Sequence, residues 1–235
     1  MSYSGIKSFY SNVDMGDCIY SLLFAKILGV RSLYLGCDGN LNKFNRKGAD
    51  FLIPLIKHQE YLGTVEIYCG QKHDYNYGDH PTGRPVILGT NLTEYHSSKF
   101  NIQYPDERVN SKWLEAPKLN STRAKVVVNR TARYHGRSDA FYKLLLSMYP
   151  FSSCVFVGLE EEHEDFQRAF NLKITHKKAN DALELASIIN SSDVFLGNES
   201  LACAIATGLG KTCFIETCPV AANYIFEERP NTYYF

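Results

Sequence analysis

The sequence predicts an α/β protein built as two small halves that face a cleft. Three observations carry that expectation. Short strand-like runs alternate with segments of helical period over residues 7–69, and the same alternation returns over residues 125–215. A stretch rich in histidine, tyrosine, glycine and proline, residues 70–117, separates the two series. Each series also contains a strand that hands over to a helix beside a glycine, at Gly16 and at Gly197. A chain of 235 residues admits one large domain or two small ones. The return of the pattern sets the boundary near residue 120, giving halves at 1–119 and 120–235.

In the first half, residues 7–13 read as a strand, Asp14-Met15-Gly16-Asp17 as a tight turn, and residues 18–28 as a helix. Residues 31–37 form a second strand, 47–61 a helix around Pro54, and 64–69 a third strand. Residues 70–117 are expected to be loops and a linker with one helix at 91–100. In the second half, strands fall at 125–129, 154–157, 194–196 and 212–215, and helices at 138–148, 161–170, 181–190 and 199–208. Strands that alternate with helices build a parallel sheet, so each half is expected to be Rossmann-like. No internal repeat stands out.

Hydrophobic residues make up 45% and charged residues 21%, the balance of a chain that buries a core. Lysine plus arginine equals aspartate plus glutamate at 25 each, so no global field draws in nucleic acid or an anionic membrane. Anion binding must come from a local cleft. The amino terminus lacks a basic flank and no apolar run approaches the ~20 residues of a membrane span, which predicts a cytoplasmic protein with no span. The seven cysteines include no C-x-x-C pair and read as reduced core residues. N-x-S/T triplets at Asn91 and Asn129 carry no weight without a secretory route.

Asp17 stands where the first strand meets its helix, at the sheet edge where open α/β folds bind ligands. A carboxylate there can serve as a general base, or simply cap the helix. The segment from Asp193 to Ser200 runs from a strand through Gly197 into a helix of small residues. Gly197 would allow a sharp turn, Ser200 adds a hydroxyl, and the helix dipole favours a diphosphate; alternatively Asn198 or Glu199 only caps the helix. A third cluster, Asn129 to Arg137, puts Arg130, Arg133 and Arg137 on one loop, where guanidinium forks can clamp phosphate or remain solvated.

Other matches fail. Gly208-Leu209-Gly210-Lys211-Thr212 lacks the first glycine of a phosphate-binding loop, which would fall at Ile205, and it precedes a strand. No G-x-G-x-x-G occurs. The run Glu160 to Asp165 reads as a solvated helix rather than as metal ligands. His73, Asp74, Asp79 and His80 are read as a flexible acceptor loop in preference to a metal site, and Trp113 as core in preference to a stacking platform.

Two of these motifs resemble one family. Asp14-Met15-Gly16-Asp17-Cys18-Ile19-Tyr20-Ser21 resembles the amino-terminal G-D turn of the ADP-heptose:lipopolysaccharide heptosyltransferases, glycosyltransferase family 9. The segment from Phe195 to Gly210 resembles that family's I-G-N-D-S-G-x-x-H-x-A-x-A-x-G, and residues 181–189 and 155–158 are similar to the helix and the strand that precede it. The resemblance implies a GT-B fold with a nucleotide-sugar-binding second half and an acceptor-side first half. It implies metal-independent transfer, in keeping with the lack of any D-x-D, and no cofactor beyond the nucleotide-sugar donor. It implies Asp17 as catalytic base, with Gly16, Gly197, Asn198, Glu199 and Ser200 at the donor and Arg130 and Arg133 on the loop of the basic donor contact. Leu201 stands where the family has glycine and Ala204 where it has histidine, so the donor phosphates are held differently or the donor is not ADP-heptose. The chain is shorter than typical members, as a compact viral variant would be.

The expected activity is transfer of a sugar from a nucleotide sugar to an acceptor hydroxyl. A lipopolysaccharide-type glycan, a protein and a modified DNA base all stand open as acceptors. Two rival readings remain: a GT-B-like nucleotide or sugar-nucleotide binding protein without transfer, and a sugar-nucleotide epimerase acting on the donor itself.

Overall fold

The structure, a computed structural model, describes residues 5–37, 45–78, 92–103, 107–119, 124–136, 139–218 and 229–235. The first sheet is assembled from β1 (Ser8–Ser11), β2 (Ser32–Leu35), β3 (Thr64–Ile67) and β4 (Tyr75–Asn76), all parallel, in the order β3-β2-β1-β4. Helices α1 (Met15–Leu28) and α2 (Arg46–Lys57) connect its first three strands. Asp14 occupies the N-cap position of α1, and Gly29 ends the helix in the left-handed region at φ 70°, returning its N–H to Ala25 and Lys26. Asn45 caps α2 by accepting from the Gly48 N–H at 3.0 Å.

Two short helices follow, α3 (Leu92–Lys99) and α4 (Glu107–Asn110). The second sheet comprises β5 (Val126–Asn129), β6 (Cys154–Phe156), β7 (Thr175–His176), β8 (Val194–Asn198), β9 (Thr212–Glu216) and β10 (Thr232–Tyr234). Its order is β10-β9-β8-β5-β6-β7, again all parallel. Helices α5 (Asp139–Ser147), α6 (Glu160–Phe170), α7 (Ala182–Asn190) and α8 (Leu201–Gly208) complete it. Every residue of the central strands β5 and β8 is buried, as a parallel sheet covered on both faces requires.

The two sheets are joined through helices. α1 packs on α8 and α2 on α7, so one apolar core runs from Phe9 and Leu33 through Leu22, Ala204 and Ala206 to Phe195. The small side chains of α8 serve this close approach to α1 as well as to the sheet. A second core on the far face of the second sheet gathers Val126, Val128, Phe156 and Leu196 against Tyr142, Phe166 and Phe170. Trp113 is fully buried, as expected, and its indole N–H donates to the Ile19 carbonyl at 3.1 Å across the chain.

Several expectations are corrected. Residues 70–117 hold β4 and α4 besides the expected helix, and β7 and β10 have no expected counterpart. Strand β8 runs on to Asn198, so α8 starts at Leu201 with Ser200 as its cap, and neither Asn198 nor Glu199 caps it. Gly197 lies inside that strand and makes no turn. Not every cysteine is core, since Cys69 is exposed and Cys37 partly so. Residue 120, where the boundary was expected, and the helix-start residues Asn91 and Ser138 lie outside the described residues.

Candidate active site

Both sheets end their central strands at one place. β1 leads through Asp14 into α1, and β8 leads through Glu199 and Ser200 into α8. The two helix N-termini abut: a Cβ on Gly16 would lie 3.8 Å from the Ser200 carbonyl oxygen and 3.9 Å from the Leu201 nitrogen. A small cleft, partly open to solvent, lies over this junction and is lined by Asp14, Gly16, Asp17, Tyr20, Arg133, Tyr134, Glu199, Ser200 and Leu201. Each N-terminus carries unpaired N–H groups and a partial positive charge of about half an elementary unit, so two of them side by side favour an anion.

Two carboxyl groups face this polarised floor. Asp17, in the first turn of α1, is pushed up to about 7, first by burial, then by the neighbouring Asp14 charge, with the Arg133 guanidinium pulling the other way. A carboxyl poised near neutrality suits a general base. Glu199 is pushed up to about 8 by burial, and neither of its oxygens has a hydrogen-bond partner. Ser200 accepts from the Cys203 N–H at 3.2 Å and donates to Asn129 Oδ1 at 2.7 Å, so its hydroxyl ties α8 to β5.

The arginines separate. Arg130 turns away from the cleft: its Nε and Nη2 donate to Glu216 at 2.8 and 3.0 Å, Asp139 lies 3.3 Å from Nη2, and the guanidinium stacks on Tyr142 and Phe170. Its donors are spent on the fold, so Arg130 is not placed for the donor contact expected of it. Arg133 is exposed, stacks over Tyr134 and lines the cleft. Arg137 lies outside the described residues.

Asn198 also faces away from the cleft. Its side-chain nitrogen donates to the Thr131 and Arg133 carbonyls at 3.1 and 2.6 Å, and its oxygen accepts from the Thr131 N–H at 2.9 Å. At the other end of the same loop, Glu216 accepts from the Gly136 N–H at 3.0 Å. Two buried anchors therefore hold the loop that presents Arg133. Tyr134 adopts a left-handed backbone, φ 58°, between them.

Gly197 supports the site from beneath. It pairs with Asn129 in the ladder between β5 and β8, and a Cβ there would fall 2.3 Å from the Asn129 carbonyl oxygen. Gly197→Ala is therefore expected to force these strands apart and to lower stability by about 1–3 kcal/mol in urea unfolding. An unchanged midpoint would show that the close approach relaxes freely.

The sequence reading thus brings Gly16, Asp17, Arg133, Glu199 and Ser200 to the cleft, and it misses Asp14, Tyr20, Tyr134 and the anchor Glu216. Glu216 had a signal, a charged residue closing an apolar strand. In the run Glu160 to Asp165, Glu162 accepts from the Leu159 N–H at 3.0 Å and Asp165 pairs with Arg168 at 2.9 Å, the behaviour of a solvated helix. Asp74 accepts from the Lys7 and Ser8 N–H groups at 2.8 and 2.9 Å, so it fastens the start of β1, while Asp79 and His80 lie outside the described residues. Among the described residues no group of three or more His, Cys, Asp or Glu side chains is placed to hold a metal ion, and no helix is long and apolar enough to cross a membrane.

Two parallel sheets with a cleft over their carboxyl ends define a GT-B-like α/β fold, and solved structures agree. A family 9 glycosyl transferase from Veillonella parvula superimposes with a TM-score of 0.65 and 11% identity, over 100% of this chain and 87% of that one. The dodecameric iron-containing heptosyltransferase TibC, solved with ADP-D-β-D-heptose, gives a TM-score of 0.56 at 11% identity, and the chain spans 63% of its length. TibC from enterotoxigenic E. coli gives 0.55 at 11% identity over the same share. At such identity the shared property is the fold, and at that level the resemblance to family 9 stands. No family model matches the sequence. No curated protein matches it either.

Proposed function

We propose that the chain is a metal-independent glycosyltransferase that moves a sugar from a nucleotide sugar to an acceptor hydroxyl in the cytoplasm. One observation carries this reading: the N-termini of α1 and α8, each from a different sheet, meet under a cleft lined by both Asp17 and Arg133. The donor diphosphate lies over the paired N-termini against Arg133. Asp17 takes the proton of the acceptor hydroxyl as its oxygen attacks the anomeric carbon. The bond from that carbon to the diphosphate breaks, and its electron pair leaves on phosphate, where fixed dipoles and the guanidinium stabilise the growing charge. Gly16 leaves the floor open, and Ala204, buried in the core, adds no charge there. A glycan of the lipopolysaccharide type, a protein or a modified DNA base is the acceptor class to be screened.

Calorimetric titration with nucleoside diphosphates and their sugar conjugates, followed by an assay of sugar release, tests this reading. We expect micromolar binding of one nucleotide, sugar release that needs an acceptor, and roughly tenfold weaker binding in Arg133→Ala, the worth of one charge-assisted contact at an exposed position. Binding with no sugar release under any acceptor would make the protein a sugar-nucleotide binder. An altered donor sugar formed without acceptor would make it an epimerase. Failure of every nucleotide to bind would end the reading.

A further inference from the structure

Glu199 combines features that seldom coexist in a carboxyl group. It is 4% exposed, both its oxygens lack a hydrogen-bond partner, and it lines the cleft one residue ahead of the cap of α8. A buried polar group without a partner is costly, so such an arrangement points to a ligand that completes it.

We propose that Glu199 meets the bound diphosphate as a neutral carboxylic acid, donating its O–H to a phosphate oxygen, so that loss of this one proton expels the ligand. The proposal rests on reading the cleft as a diphosphate site. The surroundings favour the neutral form. From α1, Asp14, Asp17 and Tyr20 face the cleft; from the loop after β5, Arg133 and Tyr134; from α8, Cys203 lies within electrostatic reach. The arginine acts on Asp17 and Glu162, whereas Glu199 feels burial alone, which holds it at about 8. Arg130 has gone to Glu216. An ionised Glu199 would set a third negative carboxyl beside an anion, while the protonated form supplies a donor and adds no charge. During transfer the acceptor's proton goes to Asp17, and Glu199 keeps its own, lending it only as a hydrogen bond.

The test is calorimetric titration of ADP, GDP, CDP and UDP between pH 7.0 and 9.5, above the second ionisation of a phosphate ester at about 6. Asp17→Asn serves as the background because Asp17 itself ionises near 7, and Tyr20 stays protonated across the range. In that background the dissociation constant of the best-bound nucleotide should rise above about pH 8 with a limiting slope of tenfold per unit, about 30-fold weaker by pH 9.5. Asp17→Asn combined with Glu199→Gln should bind within about threefold of the background at pH 7.0 and show no slope, since the amide keeps a donor that cannot ionise. A flat profile in the background, or a slope that survives Glu199→Gln, would overturn the proposal and leave the diphosphate site standing. If none of the four nucleotides binds any of these proteins, the diphosphate site itself is wrong, and the role of Glu199 with it.

Discussion

Asp17→Asn is expected to cut sugar transfer by roughly 100- to 10,000-fold, the usual share of a positioned general base, while the affinity for nucleoside diphosphate stays within a few-fold. The amide fills the same space in the first turn of α1 but cannot take up the acceptor's proton. The pH dependence gives a second readout. Burial and the Asp14 charge hold the Asp17 carboxyl at about 7, so its basic form grows as pH rises through that value. Wild-type turnover at subsaturating donor should therefore climb from pH 6 to a maximum near 8 and fall above it as Glu199 ionises and donor is lost, and the residual turnover of Asp17→Asn should lack the rising limb. Unchanged turnover with lost nucleotide affinity would remove Asp17 from proton transfer and make it a binding residue.

Glu216→Ala is expected to be the most damaging change to the fold. Glu216 is fully buried and accepts from Arg130 Nε and Nη2, from the Gly136 N–H and, at 3.2 Å, from the Tyr142 hydroxyl. Removing it leaves a guanidinium whose side chain is only 9% exposed with the exposed Asp139 carboxylate as its one remaining ion-pair partner among the described residues, and breaking one side of such a buried pair costs about 3–5 kcal/mol. Replacing both partners, Arg130→Met with Glu216→Leu, should recover much of that loss, because no buried charge remains unpaired. Urea unfolding of the three proteins measures both effects. If Glu216→Ala loses less than about 1 kcal/mol, the pair does not anchor the loop.

Part of this site is legible in the chain. Asp17 and Glu199 could be found because a strand running through glycine into a helix leaves a local pattern, and the carboxyl edge of a parallel sheet is where such patterns converge. Arg130 and Arg133 could not be told apart. They share a loop and a residue type, and what separates them is a carboxylate 86 positions away in Arg130's case. Gly197 stands out in the sequence without showing its role, since the same residue marks a turn and a close backbone approach, and only the neighbouring strand decides which. Strands β4, β7 and β10, at two or three residues each, are too short to display a period of two. That both oxygens of Glu199 lack partners depends on everything around them, and no window of sequence records it.

The continuous core beneath the cleft constrains how this protein can move. Swinging one sheet relative to the other would drag the indole of Trp113 off its anchor on α1 and lay bare the seam between α1 and α8, a rupture on the scale of unfolding rather than of breathing. The jaws are thus welded. On the proposed reading, selection among nucleotide sugars falls to the rim, to the reach of Arg133 and Tyr134, while the spacing between the two electropositive helix ends stays as rigid as the interior that sets it.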